Sequence, residues 1–270
     1  MEFFQICNGI PVHISDSRNG DKTFLLIHGY LETLYVWEDF IKSLPKDIRV
    51  ISFDIPGHGL SGTDKEVNSM AFCADVVKDM LTKLDVKEKV VVIGHSMGGY
   101  IALEMLKLYP ELFSALVLMH SAPFADSEEK KEEREREIGL IRQNKLLQIV
   151  RLAIPKMFSP GNLAGMEEKI VEILETAEIH DSEGIIASIE GLKAREDNSK
   201  TLSCSPVPVM LVHGRYDNYI SNERVDNLAE TFPLVQLSIM ENSGHASFIE
   251  EPKAVAEKVL SFVQAIIKNE

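Results

Sequence analysis

The sequence predicts an α/β fold in which eight strands form one mostly parallel sheet, flanked by helices and interrupted by a helical insertion. Three observations carry this reading. Eight short runs rich in β-branched and apolar residues recur along the 270 residues. The last six are nearly uniform in apolar character, as strands buried on both faces are. Most gaps between them are long enough for crossover helices and hold segments of helical period. The length suits one large core.

The first two runs, Phe3–Cys7 and Pro11–Ile14, flank Asn8-Gly9, a dipeptide that supplies the two positive-φ residues of a type I′ hairpin. The others are Thr23–Ile27, Arg49–Phe53, Lys89–Ile93, Ala115–Met119, Val207–Val212 and Val235–Met240. Amphipathic spacing predicts helices over Ser69–Leu84, Gly99–Tyr109, Ser221–Thr231 and Pro252–Lys268.

One gap exceeds what a crossover needs. Between Met119 and Val207 lie 87 residues with little strand character. Ser127–Glu137 is a charge run of mixed sign, which predicts a solvated helix face. Gly139–Met157 carries Leu140, Ile141, Leu146, Leu147, Val150, Ile154 and Met157 at near-helical spacing, and Met166–Leu174 starts another helix. The expected organisation is a core of residues 1–120 and 205–270, with residues 121–204 as a helical cap at the carboxyl ends of the strands, where open α/β folds bind ligands.

Composition narrows the function classes. Hydrophobic content of 45% and charged content of 26% are those of a soluble globular chain. A formal net charge of −14 without a basic patch disfavours nucleic acid and anionic membrane. The amino terminus lacks the basic and apolar regions of a signal peptide, and no apolar window is long enough for a spanning helix. Cys7, Cys73 and Cys204 are an odd number at wide spacings, which argues against a disulfide framework or a CxxC metal site. The expectation is a cytoplasmic monomer or homo-oligomer with a small-molecule substrate, no nucleic-acid partner and no membrane insertion.

The chemistry is written in Gly94-His95-Ser96-Met97-Gly98, a Gly-x-Ser-x-Gly pattern between a predicted strand and a predicted helix. A turn that tight strains the serine backbone and leaves no room for side chains two residues either side. It presents the serine oxygen at the helix amino terminus. A serine hydroxyl needs a base and an orienting acid to act as a nucleophile. His245 follows the last strand and Asp217 the seventh, so both can converge with Ser96 on one sheet edge. Asp126, six residues beyond His120, is the rival acid, but it borders the charge run and reads as a surface group.

This constellation resembles the α/β-hydrolase family over nearly the whole chain, the cap being its variable part. His28-Gly29-Tyr30 looks like the family's oxyanion segment, and Asp54-Ile55-Pro56-Gly57-His58-Gly59-Leu60-Ser61-Gly62 looks like its turn after the fourth strand. The resemblance implies an oxyanion hole formed by the backbone N–H groups of Tyr30 and Met97, each such donor being worth about 3 kcal/mol of barrier. His28 is expected to brace the loop, Asp54 to fix its turn, and His95 to pack inside the elbow.

The remaining candidates concern the pocket. Apolar cap residues Leu146, Ile154, Met157 and Phe158, together with Trp37 beside the oxyanion loop, are expected to line a site for a small or medium substrate. The histidines His13, His28, His58, His120, His180 and His213 lack metal-ligand spacing, and no GxxxxGK[ST] accompanies the glycines of 94–99, so no metal and no cofactor is expected. The predicted reaction is acyl transfer to water from a carboxylic ester or lactone, with Ser96 attacking, His245 as base and Asp217 as acid. A C–C bond hydrolase or lyase with the same triad, and a slow-turnover ligand receptor on the hydrolase fold, stay open.

Overall fold

The computed structural model describes residues 1–267. Its strands are β1 (Glu2–Cys7), β2 (Ile10–Asp16), β3 (Lys22–Ile27), β4 (Ile48–Phe53), β5 (Val90–His95), β6 (Phe113–Met119), β7 (Val209–Gly214) and β8 (Gln236–Met240). They form one sheet in the order β1-β2-β4-β3-β5-β6-β7-β8. β1 pairs antiparallel with β2 and β2 with β4; every later pairing is parallel. All eight predicted strands are present. The first hairpin turns through Asn8 at φ 45° and Gly9 at φ 90°, the two positive values that its sequence predicts.

Uniform apolar strands follow from burial on both faces. Phe24, Leu26, Val91, Ile93, Val117 and Met119 join one core cluster, while Leu25, Ile27, Val90, Val92, Leu116 and Leu118 join the other. Alternate side chains point to opposite faces, so neither face can tolerate a polar register.

The helices in chain order are α1 (Glu38–Lys42), α2 (Met70–Lys83), α3 (Met97–Leu108), α4 (Glu128–Ile141), α5 (Leu146–Lys156), α6 (Glu167–Ala177), α7 (Ser182–Ala194), α8 (Ser199–Ser203), α9 (Asn222–Thr231), α10 (Ser247–Glu250) and α11 (Pro252–Ile267). Ser69, Ser127, Asp181 and Ser221 cap α2, α4, α7 and α9 by accepting a backbone N–H three residues on. The last residue of the expected helix Pro252–Lys268 lies outside the described residues. Among the described residues no helix is long and apolar enough to cross a membrane.

Two expectations for the insertion are corrected. The single helix expected over Gly139–Met157 is broken: α4 ends at Ile141, the chain turns through Asn144 at φ 61°, and α5 starts at Leu146. Both helices bury one apolar stripe, Ile138 and Ile141 in α4, then Leu146, Val150 and Ile154 in α5. The period therefore runs on across the break. The charge run does form a helix, but not a wholly solvated one, because Arg134 within it is 9% exposed and pairs with Asp126, itself 9% exposed.

The insertion docks at two places that matter for the site. α7 lies against the turn after β4: a Cβ on Gly184 would stand 2.6 Å from the Gly57 carbonyl oxygen, and Asn68 N donates to Ala187 O at 2.8 Å. The 157–162 segment grips the loop after β8. His245 N donates to Met157 O at 2.6 Å, and Glu250 accepts from Ser159 N and Gly244 N, each at 2.7 Å.

Candidate active site

Ser96 stands between β5 and α3 with φ 48° and ψ −112°, a strained conformation for a residue with a side chain. The glycines on either side permit it. A Cβ on Gly94 would meet the Gly98 carbonyl oxygen at 2.5 Å, and one on Gly98 would collide with the Ile27 and His28 carbonyls. Ser96 N donates to Met119 O at 2.9 Å, and the Ser121 hydroxyl donates to Ser96 O at 2.9 Å, which pins the turn to the end of β6.

The loops after β7 and β8 bring Asp217 and His245 together. His245 Nδ1 donates to Asp217 Oδ2 at 2.8 Å, and His120 Nδ1 donates to the same oxygen at 3.0 Å. Tyr219 N and Ile220 N donate to Oδ1 at 2.8 and 3.0 Å. Burial would raise the Asp217 carboxyl, but the charge and hydrogen bonds of His245 and His120 outweigh it and hold the group far below the usual carboxylate range. His245 Nε2 has no protein partner among the described residues.

A cavity of about 650 Å³ is lined by Ser96, Met97, Tyr30 and His245, among others. Its volume is that of a small-molecule site. Among the described residues the backbone N–H groups of Tyr30 and Met97 donate to no protein acceptor. His28 braces this segment, its Nε2 accepting from Ile55 N at 2.9 Å. Asp54 fixes its own turn by accepting from Leu34 N, Leu60 N and His13 Nδ1.

The family model for the alpha/beta hydrolase fold matches residues 22–139. The chain is 24% identical over 250 residues to a pimeloyl-[acyl-carrier protein] methyl ester esterase of Yersinia pseudotuberculosis serotype IB, covering 91% of this chain and 94% of that one. The chain has the α/β-hydrolase fold. The chain is also 26% identical over 281 residues to a Bacillus subtilis protein provisionally named a 2-succinyl-6-hydroxy-2,4-cyclohexadiene-1-carboxylate synthase, covering 97% of each. Among solved structures, a thermophilic esterase from Thermogutta terrifontis, with malate bound, superposes with a TM-score of 0.91 at 24% identity, over 98% of this chain and 99% of that one. The eight-stranded, mostly parallel fold is thus shared along nearly the whole chain.

The pocket expectations divide. Ile154 and Met157 line the cavity. Trp37, Leu146 and Phe158 do not; all five pack in one apolar cluster, but only Ile154 and Met157 stand where that cluster borders the cavity. Trp37 is fully buried, with Phe248 at 4.3 Å and Phe40 at 5.8 Å between ring centroids. Asp126, expected at the surface, is enclosed between Arg134 and Arg195. Arg195 lies 69 residues further along the chain, so the pairing has no local signal in the sequence.

His95 does more than fill space. Its Nδ1 contacts Glu32 Oε2 at 2.9 Å and its Nε2 contacts the His245 carbonyl oxygen at 2.8 Å. A carbonyl and an ionised carboxylate only accept, so both ring nitrogens must carry protons. Burial works against that charge, but the neighbouring Glu32 raises the His95 pKa, while His95 holds Glu32 below the usual range. Glu32 also accepts from Gly29 N at 2.5 Å, so this one pair ties the oxyanion segment to the elbow and to the His245 loop. Sequence reasoning missed Glu32, whose partner His95 lies 63 residues away along the chain.

Ligand-type atoms of His120, His213 and Asp217 lie within 4.8 Å of one another. The three come from the ends of β6 and β7 and the loop after β7, which is why spacing along the chain does not reveal them. All four lone-pair positions of Asp217 already accept hydrogen bonds, and His120 Nε2 accepts from the Ser247 hydroxyl at 2.7 Å.

Proposed function

We propose that this α/β hydrolase cleaves small or medium carboxylic esters or lactones through an acyl-enzyme. Ser96 attacks the carbonyl while His245 Nε2 takes its proton, and Asp217 stabilises the imidazolium. The N–H groups of Tyr30 and Met97 receive the oxyanion. Water, activated by the same His245, then releases the acid. The observation that carries this reading is the 2.8 Å Asp217–His245 contact together with a strained Ser96, Ser96 and His245 lining one cavity and Asp217 standing behind His245. The ester chemistry in the name of the Yersinia relative agrees with it. Residues 121–204 act as a cap over the core of 1–120 and 205–270, contributing Ile154 and Met157 to the acyl pocket. Cofactor and metal have no role in the scheme.

A panel of para-nitrophenyl esters and lactones tests the reading. Turnover that vanishes in Ser96→Ala supports it; turnover that survives in a folded Ser96→Ala protein contradicts it. A second reading is a non-hydrolytic reaction such as elimination, since the Bacillus subtilis relative is named a synthase and not a hydrolase. Reaction in ¹⁸O-labelled water separates the two, since hydrolysis places one labelled oxygen in the acid product and elimination places none.

A further inference from the structure

We propose that the cavity contains a carboxylate-binding wall, so that the preferred ester or lactone carries a second, negatively charged group. This rests on the hydrolase reading for the reaction but not for the binding. The wall is built on the loop after β6. Asp126, its side chain 3% exposed, lies between Arg134 and Arg195, with Arg195 Nη2 at 2.7 Å. One carboxylate thus faces two guanidinium groups. Arg195 spends its other nitrogens on carbonyls, Nε on Phe124 O at 3.3 Å and Nη1 on Leu192 O at 3.0 Å. Arg134 does not. Only its Nε is engaged; among the described residues its two Nη groups have no protein partner, although the residue is 9% exposed. Neither Nη is sealed from solvent, and Arg134 lines the cavity, so this half of the fork opens on it.

A third arginine adds to these free donors. Arg224 of α9 lines the same cavity, 5.2 Å from the Phe124 ring centroid, and has no acidic partner among the described residues. Of the acids that share the lining, Glu133 pairs with Lys130 and Glu32 with His95, whereas Glu137 accepts from the neutral Tyr30 hydroxyl and Glu129, on the first turn of α4, is exposed. Neither Glu129 nor Glu137 forms an ion pair with Arg134 or Arg224 among the described residues, so the free donors of these two arginines, and not a surplus of charge, are what the wall offers a ligand. Charge held away from water is costly unless paired. A planar carboxylate fits a guanidinium fork with two parallel hydrogen bonds, so it is the ligand group that this wall suits.

The wall lies within reach of the reacting serine. Ser121 hydrogen-bonds the Ser96 carbonyl, and Asp126 follows five residues later, at most about 18 Å along a fully extended chain. Ser96, Arg134 and Arg224 line the same cavity, so one elongated ester can present its carbonyl to the serine and a distal carboxylate to the arginines. The charge can sit on the acyl side or on the alcohol side, and two pairs of substrates tell these apart: monomethyl adipate against methyl hexanoate, and the acetyl ester of 6-hydroxyhexanoate against hexyl acetate.

In at least one pair the anionic member should have at least a tenfold higher kcat/KM, and Arg224→Gln should cut that preference at least tenfold. Arg224 is exposed and unpaired, so its loss leaves the buried Asp126 cluster intact; Arg18→Gln, at the edge of the sheet, should leave the preference unchanged. Arg134→Lys keeps the charge but removes the fork and should also lower the preference. Independently of turnover, calorimetry of adipate with the Ser96→Ala protein should show binding that weakens at least tenfold when Arg224→Gln is added. Adipate binding without any ester turnover would uphold the wall while sinking the hydrolase reading. Neutral members preferred in both pairs, a preference indifferent to Arg224→Gln, or adipate that fails to bind would overturn the wall itself.

Discussion

Two carboxylate–histidine pairs flank Ser96, Asp217–His245 at 2.8 Å and Glu32–His95 at 2.9 Å, and they differ in what the second ring nitrogen does. In His95 it is spent on the His245 carbonyl; in His245 it has no protein partner among the described residues. A general base needs a nitrogen free to take a proton, so the proposed catalytic role falls to His245, and His95 can only hold the frame around it. The acids differ in parallel. Asp217 accepts four hydrogen bonds from four different residues, whereas Glu32 Oε1 is buried with no partner. Proximity of a carboxylate to an imidazole therefore does not identify a catalytic pair; the accounting of donors and acceptors does.

The largest effect should separate the two acids. Removing the acid that orients a catalytic histidine costs about 10⁴ in turnover in comparable triads. Asp217→Asn is expected to lower kcat on a para-nitrophenyl ester by that order, read by initial rates on protein whose fold is checked by circular dichroism. A loss under tenfold would remove Asp217 from the triad. Its rival for that role, Asp126, sits outside the comparison. Breaking one side of a buried ion pair costs about 3–5 kcal/mol, so Asp126→Asn should chiefly reduce the unfolding free energy, seen as a lower urea midpoint. A crippled kcat with unchanged stability would instead make Asp126 the acid.

Next comes the second pair. His95→Gln deletes the charge and one of its two hydrogen bonds, loosening the His245 loop and the oxyanion segment together. A displacement of about 1 Å can cost about 10²-fold. The expected result is a kcat lower by that order with KM little changed; a KM effect alone would mean that His95 touches substrate and does not position the site.

Smaller still is a pH effect that reports the histidines outside both pairs. Burial pushes His120 down to about 3, and His180 and His213 down to about 4. An unfolded histidine titrates near about 6.5, so the unfolded chain takes up these protons first. Stability is whole above about pH 6.5 and falls as the pH drops towards 4, by about 1.4 kcal/mol per group per unit. His95, with its raised pKa, works in the opposite sense, its contribution being present at low pH and lost as the pH rises. Urea unfolding at pH 7 and pH 5.5 should therefore show a net loss at the lower pH. Equal free energies at the two values would contradict the neutral state of the buried rings.

Least drastic is a change of shape. Ile154→Trp narrows the cavity without touching either pair and should shift the ranking of esters by acyl chain length, leaving Ser96 reactive. An unchanged ranking would place Ile154 outside the acyl path.

The same distinction explains what the sequence made legible. The strands, the elbow and the loops that carry Asp217 and His245 announce themselves through local patterns: β-branched runs, paired glycines, and a residue's place just after a strand. What escaped depends on contacts between distant segments. Asp126 reads as solvent-facing because its neighbours are charged, yet Arg195 closes over it from the far end of the insertion. Glu32 has no motif of its own, and its meaning comes from His95, 63 residues away. Trp37, Leu146 and Phe158 read as pocket residues because apolar character is the same signal whether a side chain faces a cavity or the core. The turn between α4 and α5 was hidden by an apolar period that both helices keep.

The proposed nucleophile is the point on which the rest depends. Intact-protein mass spectrometry after exposure to a fluorophosphonate probe tests it directly. One adduct per chain, mapped to the peptide that holds Ser96 and absent from a folded Ser96→Ala variant, is the predicted result. An unmodified wild-type chain, or an adduct that persists in Ser96→Ala, would contradict the account.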